Sequence, residues 1–334
     1  MKKRVFGILP NGDKVYAYEI KDGESVAEII EYGASIVVLR PFGQTDVVGG
    51  FDSLDDYLCD TSNQGAIVGR VANRIANAQF TLDGKTYFLP NNDNGNCLHG
   101  GIGFQHRKWS LVEHTENSIT LSYFSPSGED GFPSNLSVFV NYTLKNFALQ
   151  ISYKAIPEET TPIALTNHAF FNLDGLGGDI KNHIITIWAD KYSETGTDLI
   201  PTGNRPSVNG TQLDLRCKKM IGSDFSKQFQ GYDHNMILSP QIYKTFDLQT
   251  IGLAARVEND NMIMKTYTDQ PGIQFYTGNF LGDGPAFKGG IPQIQHGAFC
   301  LEAQTEPNCI NRGEAIYHRG EVYTQLTVYE FIKK

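Results

Sequence analysis

The stretch Leu136-Ser137-Val138-Phe139-Val140-Asn141-Tyr142-Thr143-Leu144-Lys145-Asn146-Phe147-Ala148-Leu149-Gln150-Ile151-Ser152-Tyr153 decides the fold class. Leu136, Val138, Val140, Tyr142 and Leu144 occupy every second position. After Lys145-Asn146 the pattern restarts with Phe147, Leu149, Ile151 and Tyr153. Side chains of a strand alternate between its two faces, so this spacing predicts a β-hairpin with one apolar face. The same reading extends outward. Phe80 and Leu82 precede Asp83-Gly84, and Tyr87 and Leu89 follow. Asp-Gly suits a type I′ turn, whose central residues both take positive φ. Ile119, Leu121 and Tyr123 mark another strand, and Val322 to Tyr329 is a β-branched and aromatic run that predicts a closing one. Helical signals are few. Ser53 is placed to cap a short turn through Asp56 and Tyr57. In Ser25–Ile36, Val26, Ile29 and Ile30 fit helical spacing, but Gly33 interrupts, and the segment is assigned to strand. No linker, fixed-period repeat or low-complexity tract divides the chain. The expectation is an all-β protein, one domain over 1–334, built as a large antiparallel β-sandwich.

Composition narrows the function. The 34 glycines and 11% aromatic content suit tight turns between strands. A net charge of −9 lacks the basic footprint of nucleic-acid binders and disfavours an anionic membrane surface. No apolar run approaches the ~20 residues of a membrane-spanning helix. Met1-Lys2-Lys3-Arg4 is basic, but the apolar stretch Val5 to Leu9 ends at Pro10, too short for a signal sequence. The five cysteines (Cys59, Cys97, Cys217, Cys300, Cys309) form no C-x-x-C pair. Reduced thiols in a cytoplasmic protein are the simpler reading.

Four segments set charged or titratable residues among apolar ones: Gly69–Asn77, Cys97–Gly101, Thr166–Leu173 and Phe299–Gln304. Burying such groups is costly unless they are paired. Taken alone, each has an ordinary explanation. His168, beside Phe170 and Phe171, reads as a core histidine, and Glu302 as a strand residue facing water. His99 reads as a turn residue, and Arg74 as a surface cation or half of an ion pair with an aspartate. Trp109, Tyr276 and Phe280 are able to stack on sugar faces, although most aromatics are core. Other chemistries lack their signatures: there is no GxxxxGK[ST], no H-E-x-x-H, no tight His/Cys cluster and no G-x-S-x-G.

Read together and in order, the segments resemble the aldose 1-epimerase (galactose mutarotase) family. The likeness includes Gly69-Arg70-Val71-Ala72-Asn73-Arg74-Ile75, Leu98-His99-Gly100-Gly101, Thr166-Asn167-His168, Gly231-Tyr232-Asp233-His234-Asn235, Gly272 to Phe280, and Leu301-Glu302-Ala303-Gln304. It implies a galactose mutarotase-like supersandwich with the sugar in an open cleft. It implies His168 as general acid and Glu302 as general base, with Asn73, Arg74, His99, Asp233 and Gln274 holding the sugar. It implies no cofactor and no metal. Ile102–Trp109, Thr305–Cys309 and Ile310–Gly320 depart from the family pattern and are expected at the cleft rim, where substrate preference is set.

The implied reaction interconverts α and β anomers of an aldohexose such as galactose or glucose. Opening a cyclic hemiacetal needs a proton on the ring oxygen and loss of the C1 hydroxyl proton. A paired acid and base avoid both charged intermediates. Histidine suits the acid because its ordinary pKa is ~6.5, and a nearby carboxylate is expected to favour the imidazolium. The partner is a small sugar, with no nucleic acid or membrane, and the chain is a monomer or homodimer. Competing readings are a hexose-phosphate 1-epimerase using His106-Arg107-Lys108, a non-catalytic sugar binder on the same fold, and a glycosidase pairing Asp233 with Glu302.

Overall fold

A computed structural model describes residues 2–334. The Leu136–Tyr153 hairpin sits within the largest sheet. Strands Leu136–Lys145 and Ala148–Pro157 pair antiparallel from Leu136↔Pro157 to Lys145↔Ala148. The turn lies one residue later than the apolar alternation suggests. Asn146 and Phe147 take φ of 53° and 60°, so Phe147 is the exposed turn tip rather than part of the buried face. The two-residue connection overrode hydrophobicity at that position. Asp83 and Gly84 likewise turn at φ of 50° and 75° between Gln79–Leu82 and Lys85–Phe88.

The hairpin belongs to a ten-stranded antiparallel sheet. Its centre is the closing strand Tyr323–Lys333, between Ala148–Pro157 and Met262–Thr268. A five-stranded sheet faces it, ordered Phe170–Phe171, Phe299–Gln304, Gly272–Tyr276, Asp233–Leu238, Ala189–Tyr192. A third sheet of four strands spans Lys2 to Arg40. Within it, Ser25–Ile30 is a strand, and Gly33 and Ala34, both at positive φ, turn the chain into Ile36–Arg40. One core cluster joins all three sheets. Val140, Tyr142 and Phe331 come from the large sheet, Phe275, Phe299 and Leu301 from the five-stranded one, and Ile29 and Leu39 from the third. This is the expected antiparallel sandwich. Buried tyrosines stitch the layers, with the Tyr329 hydroxyl donating to the Leu301 carbonyl (3.2 Å) and Tyr142 to Ala34 (2.6 Å).

Period-two alternation explains where the site lies. On the five-stranded sheet, Ile273, Phe275, Phe299, Leu301 and Met236 point into the core. The intervening Asp233, Gln274, Tyr276, Cys300 and Glu302 therefore share the opposite, concave face. The helix Leu54–Cys59 starts where expected, at Ser53, whose hydroxyl accepts from the Asp56 N–H. No helix among the described residues is long and apolar enough to cross a membrane.

Candidate active site

The concave face floors an open cleft of about 190 Å³, walled by Asn73, Arg74, His99, His168, Asp233 and Glu302 among others. That is smaller than the ~300–1,000 Å³ of pockets for drug-sized ligands, so it suits one small ring.

His168 follows the short strand Thr166–Asn167, and its backbone is pinned on both sides. Its N–H donates to Ala66 O (2.9 Å), and its carbonyl accepts from Gly65 N–H (3.0 Å). Glu302 stands mid-strand. Its Oε1 lies 3.7 Å from His168 Nε2, too long for a direct hydrogen bond, with both groups facing the cleft. The two residues are 134 positions apart in sequence and meet only through the fold.

His99 and Asn73 hold each other. The Asn73 N–H donates to His99 Nδ1 (3.2 Å), and the His99 N–H donates to Asn73 O (3.0 Å). Both residues sit at positive φ, 59° and 54°, the kind of backbone strain that collects at functional sites. With Nδ1 accepting, a neutral His99 carries its proton on Nε2. Its ring meets that of His168 edge-on at 5.3 Å. Arg74 reaches the cleft while its Nε donates to Asp93 Oδ2 (2.6 Å), so it is both an ion-pair member and a cleft residue.

Gln274 stands behind Asp233. It is buried and not among the residues lining the cleft; its Nε2 donates to Asp233 Oδ1 (2.7 Å). Its side chain lies on the same sheet face as Asp233 and Glu302 and orients Asp233. Trp109 is also core, fully buried, with its indole N–H donating to Phe104 O. Tyr276 and Phe280 do line the cleft, stacked at 6.3 Å, and Phe280 is 79% exposed.

Burial sets the protonation states. It lowers His168 to about 4. It drives Glu302 well above the usual carboxyl range, with the Asp233 charge adding to the rise and Arg74 opposing it. His99 is pushed well down by burial, then by His168 and Arg74. The expectation that a carboxylate would keep His168 as imidazolium is thus corrected: loss of water outweighs charge attraction. With His168 lowered and Glu302 raised, the two groups together hold one titratable proton between those values. His168, Cys300 and Glu302 also place nitrogen, sulfur and oxygen donors within 4.8 Å of one another, a set able to hold a metal ion.

Sequence reasoning missed Thr61, Ser62, Asn63 and Leu281, which line the cleft as well. The 61–63 loop is shaped by Asp60. Its Oδ1 accepts from the Ser62 N–H (3.0 Å) and hydroxyl (2.6 Å), and its Oδ2 from the Gln64 N–H (3.2 Å). Asp-x-Ser is a recognisable turn signal, but nothing in it reports proximity to His168. The expected rim segments divide. His106 and Gln105 line a side pocket that shares His99 and Leu98 with the cleft. Thr305, Glu306 and Glu314 instead border a separate pocket with Arg205, and Cys309 and Ile310 are core. Within the His106-Arg107-Lys108 cluster, Arg107 is already paired with Glu129 and Asp130 at 3.2 Å each.

A cleft on a sandwich sheet, walled by polar and aromatic side chains with an imidazole opposing a carboxyl, is equipped for acid–base chemistry on a small polar molecule. Comparison with known proteins makes this specific. The sequence profile described as aldose 1-epimerase matches residues 16–330. The galactose mutarotase of Rattus norvegicus is 40% identical over 98% of both chains. The aldose 1-epimerase of Escherichia coli is 34% identical over 92% of both. The solved structure of an aldose epimerase homologue from C. elegans superimposes with a TM-score of 0.86 at 28% identity, covering 95% of this chain and 98% of its own. The chain belongs to the aldose 1-epimerase family.

Proposed function

We infer that the protein is an isomerase that interconverts the α and β anomers of aldohexoses, galactose and glucose among them. One observation carries the reading: His168 Nε2 and Glu302 Oε1 face each other at 3.7 Å in a cleft lined by hydrogen-bonding side chains. Glu302 takes the proton of the C1 hydroxyl. The C1–O5 bond breaks, and O5 receives a proton from His168. The open-chain aldehyde rotates about C1–C2, and the same transfers run backwards to close the ring on the other face. One proton enters the sugar and one leaves, so the count on the pair is unchanged. The reactive imidazolium–carboxylate form differs from the neutral form favoured by burial only by a proton moved between the two groups.

Arg74, Asn73 and His99 hold sugar hydroxyls on one wall and Asp233 on the other, with Gln274 steering Asp233. Phe280 and Tyr276 offer an aromatic surface to the apolar face of the ring. The protein works as one domain over 1–334, in the cytoplasm, as a monomer or homodimer. The test is optical rotation of freshly dissolved α-D-galactose and α-D-glucose. Approach to equilibrium faster than in buffer, in proportion to protein added, is expected. No acceleration with either sugar, despite measurable sugar binding, would leave only a binding protein.

A further inference from the structure

The His168 ring has a partner at each nitrogen. Nε2 faces Glu302 Oε1 at 3.7 Å, and Nδ1 faces Cys300 Sγ, also at 3.7 Å. The larger radius of sulfur brings the second contact within hydrogen-bond reach, and a thiol sulfur can donate or accept weakly. Cys300 and Glu302 stand two positions apart on the strand Phe299–Gln304, so both side chains project from one face. A single strand thus supplies both partners of the ring. Cys300 is fully buried, packs in a cluster with Phe170, and is not among the residues lining the cleft. Among the described residues, His168 is the one hydrogen-bond partner of its thiol.

A neutral imidazole carries one proton, and the hydrogen bond at one nitrogen decides the state of the other. The reaction needs Nε2 to take a proton from Glu302, pass it to O5 and recover it on closure. Nδ1 must keep its own proton throughout. A neutral ring protonated on Nε2 could give that proton away only by becoming an imidazolate. Two groups favour a proton on Nδ1: the Cys300 sulfur and the carbonyl of His168 itself, which lies within reach of Nδ1 alone. Burial, then the charges of Glu302 and Asp233, keep the thiol protonated, so the sulfur is a neutral acceptor. Neutrality matters. A carboxylate in its place would hold the imidazolium and weaken it as an acid.

We propose that Cys300 is a positioning residue for the acid: its sulfur accepts a hydrogen bond from His168 Nδ1–H, holds the ring in that tautomer and keeps Nε2 turned to the sugar. Cys300 touches no reacting atom and acts only through His168. The proposal rests on the reading of His168 as the acid.

The first test is nitrogen NMR of protein labelled at histidine, with the His168 signals assigned by their loss in His168→Asn. At neutral pH the wild type should show an uncharged His168 ring with its proton on Nδ1. A proton on Nε2 overturns the proposal, because the thiol would then be the donor. The second test is Cys300→Ala, followed by optical rotation of α-D-galactose and by the same spectrum. Loss of one weak hydrogen bond should lower kcat about two- to fivefold and leave KM within about twofold. The ring proton should shift in part to Nε2. If Cys300 merely fills space, alanine lowers thermal stability and nothing else. A kcat or a ring spectrum unchanged in the variant therefore overturns the proposal. The wild-type spectrum decides the question even where the alanine variant does not fold. A wild type inactive on every sugar defeats the reading of His168 as acid, whereas an active wild type protonated on Nε2 defeats only the role of Cys300.

Discussion

At the scale of single residues, the site is governed by burial. His168 and Glu302 are each driven toward their neutral forms, His168 to about 4 and Glu302 upward. The sign follows for the pH–rate profile. Below about pH 4 the pair gains a second proton and loses its base. Above the raised Glu302 value it loses its last proton and its acid. The kcat/KM is therefore expected to be flat through pH 6.5, where an ordinary histidine would titrate, with an acid limb near 4. An inflection near 6.5 that vanishes in His168→Asn would contradict this. A raised carboxyl also carries a stability cost. The unfolded chain releases that proton above ~4.5 and the folded one keeps it, so the native state loses ground as pH rises. Glu302→Gln, which cannot ionise, should melt higher than wild type at pH 8 and gain less at pH 5. Phe280, exposed at the rim, should act on binding alone. Phe280→Ala is expected to raise KM several-fold, about 0.5–1.5 kcal/mol, with kcat unchanged. The reactive residues were legible only as members of ordered motifs. Composition and periodicity left His168 and Glu302 with ordinary explanations, because protonation depends on neighbours brought from far along the chain.

At the scale of elements, local rules were read correctly where the signal was local. The Asp83-Gly84 turn, the Ser53 cap and the strand alternation of Leu136–Leu144 all follow from adjacent residues. Phe147 misled because turn geometry outranked its hydrophobicity. The short segments that hold His168 depend on a glycine that periodicity cannot explain. Gly65 sits at φ 70°, its N–H donates to His168 O, and a Cβ there would stand 2.2 Å from the Ile36 carbonyl. Gly65→Ala is therefore expected to destabilise the fold by ~1–3 kcal/mol and to lower kcat by displacing His168. Denaturant unfolding beside kinetics checks both. Wild-type values in both would show that the backbone there yields freely.

At the scale of the whole molecule, the three sheets share one core, and the closing strand bonds to the catalytic one through Tyr329 and Leu301. Such a body should unfold in one cooperative transition despite its 334 residues. Calorimetry showing two separated transitions would contradict a single domain. The all-β class was legible from the chain. The meeting of 73–74, 99, 168, 233 and 302 in one hollow was not, since strand order cannot be read from alternation.

The central claim is that His168 and Glu302, 3.7 Å apart, exchange protons with the ring oxygen and the C1 hydroxyl of one hemiacetal. It is tested most directly by optical rotation of α-D-galactose with wild type, His168→Asn and Glu302→Gln at equal concentrations of folded protein. Each variant should lose ~10²–10⁴-fold of the acceleration. Retention of wild-type rates by either variant would show that its side chain moves no proton in the reaction.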